Sequence, residues 1–122
     1  MQRLHALALG ALLAVSMLAS LPASAHATLQ ASLPAADAVL PQAPQQVQLT
    51  FNEKVEPAFS SIALQDETGK VVPTDKAQTD AAHPAQMTLA LPALKAGRYI
   101  VRWVAVGPDG HRRTGQYGFS VK

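Results

Sequence analysis

The chain has 122 residues, ten Lys+Arg, eight Asp+Glu and no cysteine. That is room for one domain, without a disulfide to staple it and without a thiolate to bind a soft metal. With so few excess positive charges and no basic cluster, nucleic acid is not an expected partner.

The first 25 residues read as an export signal. Arg3 and His5 give a short polar start, Ala6 to Leu18 is a nearly unbroken apolar run, and Pro22 precedes the small-residue sequence Ala23-Ser24-Ala25. This is the grammar of a cleaved secretory leader, and the run is shorter than the roughly 20 residues a membrane-spanning helix needs. Cleavage after Ala25 leaves a domain of residues 26–122 that begins at His26 and, once Arg3 is gone, is almost neutral. The expected location is the periplasm, with no membrane span in the mature chain.

Ala27 to Leu33 is a strand candidate. Pro34, Pro41 and Pro44 then interrupt an extended crossing segment. From Gln46 to Asn52 the pattern alternates, with Val47, Leu49 and Phe51 on one face and Gln48, Thr50 and Asn52 on the other, which marks a half-buried strand. Glu53 to Pro57 breaks it. Phe59 to Gln65 is the next strand, Asp66-Glu67-Thr68-Gly69 a turn, and Lys70 to Val72 a short return before Pro73. Thr74 to Pro84 reads as a polar surface loop.

Met87, Leu89 and Leu91 share one side of a strand over Gln86–Leu91. After a corner at Pro92 to Gly97 comes the longest strand, Arg98 to Val106, with Tyr99, Val101, Trp103 and Ala105 on one face. Gly107 to Arg113 links it to the last strand, Thr114 to Lys122, which turns Tyr117, Phe119 and Val121 inward. About seven short strands with Gly and Pro turns, and no sustained helical period, predict an all-β, antiparallel Greek-key β-sandwich. Leu94-x-x-Gly97-x-Tyr99 fits either a tyrosine corner or an ordinary core aromatic. Trp103, central in its strand, belongs in the core.

The chemistry-bearing residues are few. As the first residue of a mature chain, His26 offers an α-amine and imidazole Nδ1, which close a six-membered chelate ring on a metal. Two neutral nitrogens suit Cu(II), with its tetragonal N/O preference. Both must be deprotonated to bind, so affinity falls on acidification. Taken alone, His26 is also simply the residue after a cleavage site. Asp109 and His111 flank Gly110, so both side chains can face one point, although Asp-Gly is equally a common turn. One amine, two imidazoles and one carboxylate make a four-donor set. Glu53, at a strand end, is either a weak or outer oxygen donor or a solvated charge. His83 and Met87 are a poor Cu(I) pair, since Met87 is the only thioether beyond the leader and alternates with core leucines. No phosphate loop or nucleophile setting is present.

In order and spacing, several stretches together resemble the CopC family of periplasmic copper-binding proteins, and within it the short YobA-like members. They are His26-Ala27-Thr28-Leu29, Leu49-Thr50-Phe51-Asn52-Glu53, Gly97-Arg98-Tyr99-Ile100-Val101-Arg102-Trp103, Asp109-Gly110-His111 and Gly115-Gln116-Tyr117-Gly118-Phe119-Ser120-Val121. The resemblance implies an immunoglobulin- or cupredoxin-like Greek-key sandwich. It also implies a Cu(II) site from His26, Asp109 and His111, with Glu53 as a further ligand or neighbour, in a monomeric carrier that passes copper to an inner-membrane CopD-type transporter or holds it for tolerance. The methionine-rich Cu(I) loop of some members is missing.

Two other functions compete. An N-terminal histidine chelate with a second histidine is also similar to the copper brace of oxidative polysaccharide-cleaving enzymes. Against it, Asp109 takes the fourth equatorial position, and one Trp, two Tyr and three Phe leave little for a flat sugar-binding face. A metal-free exported sandwich used for protein contact is the third reading. The expectation is a non-catalytic copper carrier.

Overall fold

A computed structural model describes residues 27–122. Eight strands run in chain order: β1 (Leu29–Leu33), β2 (Val39–Leu40), β3 (Gln46–Phe51), β4 (Ser61–Asp66), β5 (Gln78–Asp80), β6 (His83–Ala90), β7 (Gly97–Val106) and β8 (Arg112–Val121). They form two four-stranded sheets, ordered β1-β3-β6-β5 and β2-β8-β7-β4. This is the expected β-sandwich. No helix among the described residues is long and apolar enough to cross a membrane.

Alternation decides which side chains meet between the sheets. Val47, Leu49 and Phe51 of β3 are buried, and Val47 and Leu49 lie opposite Leu89 and Met87 of β6. Facing them are Ile62 and Leu64 of β4, Tyr99, Val101 and Ala105 of β7, and Phe119 and Val121 of β8. With no cysteine in the chain, this one apolar layer carries the stability, to which each fully buried Val, Leu or Phe contributes about 1.5–3 kcal/mol.

Tyr99 combines its two sequence readings. Its ring stacks on Phe119 at 5.6 Å, while its hydroxyl donates a 2.7 Å hydrogen bond to the Lys95 carbonyl. The Asp66–Gly69 turn forms as expected, with Gly69 at φ +84°. Asp66 Oδ1 accepts from the Thr68 hydroxyl and from the Thr68 and Lys70 N–H groups. The Thr68 hydroxyl, more than the two N–H groups and the Lys70 charge, holds that carboxyl below its ordinary range.

Three segments differ from the sequence reading. Val39–Leu40, inside the proline-rich crossing, adds a two-residue edge to β8, and it is parallel. Two residues carry too little periodicity to be read. Gln78–Asp80 is a short strand within the expected loop, and it turns back into β6, which begins at His83 rather than Gln86. The return after Gly69 is only a single bridge, Gln65↔Val71.

Trp103 is half-buried. Its indole meets Phe51 edge-on at 5.2 Å and packs against Gly115 on the neighbouring strand. A Cβ at 115 would enter the ring. Gly115→Ala should therefore destabilise the fold by about 1–3 kcal/mol, the usual cost of overpacking. Chemical denaturation followed by the fluorescence of this single tryptophan will measure it.

Candidate metal centre

The hairpin between β7 and β8 closes at the pair Val106↔Arg112. Its loop is held by Gly107 N–H to the His111 carbonyl at 3.3 Å and Gly110 N–H to the Gly107 carbonyl at 3.0 Å. Gly110 stands at φ +80°, a conformation that side-chain-bearing residues rarely adopt. That turn brings Asp109 and His111 together. Asp109 Oδ1 accepts the His111 backbone N–H at 3.1 Å, and Oδ2 lies 2.7 Å from His111 Nδ1. A carboxylate in this position orients the ring and favours the tautomer that carries the proton on Nδ1. The imidazole is 63% exposed and the carboxylate 26%, so the ring is accessible from solvent.

Glu53 approaches the same loop from the other sheet. It lies two residues beyond the end of β3, and its carboxylate sits over Gly107, near Asp109. Oε1 is buried and has no hydrogen-bond partner among the described residues. The backbone on either side is fixed. Asn52 exchanges bonds with Thr28, Asn52 N–H to the Thr28 carbonyl at 3.0 Å and Thr28 N–H to Asn52 Oδ1 at 2.6 Å. Val55 N–H reaches the Pro84 carbonyl and Glu56 N–H the Val106 carbonyl. An ionised oxygen left unpaired out of water is unfavourable, and a cation is its natural complement. The chemistry of these oxygen and nitrogen donors suits a metal ion, although the described side chains do not by themselves surround one.

The start of the described chain is at this same end. Ala27 is buried at 1% exposure, and Thr28 is strapped beside Asn52, one residue from Glu53. His26 itself lies outside the described residues, and among those described no three His, Cys, Asp or Glu side chains form a metal-holding group. His83 is exposed at the start of β6. Met87, buried at 1% against β3, is a core residue as expected. Sequence reasoning passed over Gly107. Two glycines bracketing Pro108-Asp109 were the available signal, but only the fold reveals that Glu53 lies above the first of them.

Comparison with known proteins gives a consistent result. A family model described as the CopC domain matches residues 29–122. Protein YobA of Escherichia coli K12 is 38% identical over 99 residues, covering 80% of both chains. The copper transport protein CutJ of Bacillus subtilis is 37% identical over 98 residues, which are 80% of this chain but 18% of that longer one. Among solved structures, CopC from Methylosinus trichosporium OB3b superposes with a TM-score of 0.76 at 38% identity, covering 80% of this chain and 94% of its own. With a family model spanning both sheets and a relative matched over 80% of both chains, the chain belongs to the CopC family.

Proposed function

We propose that the chain is a periplasmic copper carrier that holds one Cu(II) ion at the β7–β8 end of the sandwich and performs no catalysis. The observation that carries this reading is the Asp109–His111 pair, set in one loop beside the unpartnered Glu53 oxygen, at the end where the described chain begins. After leader cleavage His26 supplies an α-amine and Nδ1, His111 an imidazole nitrogen, and Asp109 a carboxylate oxygen that exchanges its contact with His111 Nδ1 for one with the ion. Glu53 acts as a weak or outer oxygen. This all-nitrogen-and-oxygen set favours Cu(II), and with Met87 sunk in the core no sulfur competes for Cu(I). With those donors around the ion, little room remains for oxygen to bind and react.

A membrane copper transporter of the CopD type is the proposed recipient. CutJ supports it, since a copper transport protein several times longer contains a stretch related to this whole domain. The carrier works as a monomer.

Titration of the processed chain should give about one Cu(II) per molecule, as a single donor set requires. At a free copper concentration a hundredfold above Kd, binding should add about 2.7 kcal/mol of stability, read as a rise in melting temperature. A chain that melts identically with and without copper is a metal-free interaction module, and the carrier reading fails.

A further inference from the structure

We propose that Gly107 is a positioning residue for the copper site: its missing side chain is the seat into which the Glu53 carboxylate fits. This rests on the copper-binding reading above. Among the described residues the glycines with positive φ are Gly69, Gly97 and Gly110, and Gly107 is not one of them. Its backbone is therefore open to any residue, and the need for glycine lies in space rather than conformation. A Cβ at 107 would stand 2.6 Å from Glu53 Oε1, 3.4 Å from its Cδ and 3.3 Å from Asp109 Oδ1. The first of these is closer than real Cβ atoms come to any neighbour.

Glu53 has one way to respond. Its main chain is fixed on both sides, by the Thr28–Asn52 bonds and by the Val55 and Glu56 N–H groups. Only the side chain can turn, and turning carries the carboxylate away from its seat beside Asp109. The glutamate is flexible, so the fold absorbs a methyl group here at little cost, and the consequence falls on the site. Oε1 is buried beside a second carboxylate and lacks a partner. Its present position makes sense where a cation sits nearby. Gly107 thus sets how closely the acidic arm of the site approaches the metal, whether Glu53 ligates directly or through water.

Three variants of the processed chain test this: Gly107→Ala, Glu53→Ala and the double substitution. Cu(II) affinity is measured by competition with a chelator of known strength, and the site by the EPR spectrum of bound Cu(II). Each single variant should weaken binding about tenfold, the low end for loss of a residue that supports a ligand set. The double variant should be no weaker than Glu53→Ala, because the added methyl group then has no carboxylate to displace. The Gly107→Ala spectrum should move to that of Glu53→Ala, while the metal-free melting temperature moves by no more than about 4 °C. Wild-type affinity and spectrum in Gly107→Ala, or losses that add in the double variant, overturn the role of Gly107 and leave the carrier reading standing. A processed wild-type chain that binds no Cu(II) overturns both.

Discussion

Adding one residue ahead of His26 should weaken Cu(II) binding by more than about a hundredfold, with the metal-free melting curve unchanged. The extension turns the α-amine of His26 into an amide, which is not a neutral nitrogen donor, and it opens the chelate ring with imidazole Nδ1. Loss of a residue that merely supports a ligand costs roughly 10–100-fold in metal affinity, so loss of a donor should exceed that range. The fold has no stake in the change. Ala27 is already buried, and Thr28 is held by its two bonds to Asn52, so the strand starts in the same place whatever precedes it. The comparison needs two preparations, one beginning at His26 and one a residue earlier, each verified by mass and titrated in competition with a chelator. Equal affinities would remove the chain start from the site and leave at most two or three side-chain donors.

The sandwich was legible in the sequence because strands that bury one face announce it. Val47/Leu49/Phe51, Tyr99/Val101/Ala105 and Phe119/Val121 all fall where their alternation put them. Strands too short to alternate, Val39–Leu40 and Gln78–Asp80, left no such trace. The first pairs far along the chain, with Ser120 and Val121, and the second pairs locally with the next strand but through an irregular register, Gln78 with Thr88 and Asp80 with His83. The site divides in a similar way. Asp109 and His111 sit two residues apart across a glycine, so a local turn suffices to join them, and the spacing allowed for it without distinguishing it from an ordinary Asp-Gly turn. Glu53 meets that turn across 54 positions of sequence and two sheets. Nothing local to Glu53 distinguishes it from a solvated loop acid; the burial of Oε1 over Gly107 does. Sequence also understates Gly107, because a glycine required by a neighbour's side chain looks the same as one required by a turn.

His111→Ala should reduce Cu(II) affinity by more than about a hundredfold, on the reasoning that a donor outweighs a supporting group, while changing stability by no more than about 0.5 kcal/mol. The two halves of this expectation come from different features of one residue. The imidazole is largely exposed and belongs to no buried layer, so truncation makes no cavity. Its backbone N–H to Asp109 Oδ1 and its carbonyl to Gly107 N–H remain in the alanine variant, and the loop keeps its shape. Asp109 behaves differently because its carboxylate has two duties: Oδ1 closes the turn and Oδ2 meets Nδ1 of the ring. Asp109→Ala should accordingly lose both copper and about 1 kcal/mol of stability, the net worth of a typical hydrogen bond. Asp109→Asn should keep the turn, because an amide oxygen still accepts the His111 N–H, and lose the negative charge that favours a divalent cation. If His111→Ala binds copper as wild type does, the His111 imidazole is not a donor, and the four-donor site proposed at this end of the sandwich fails.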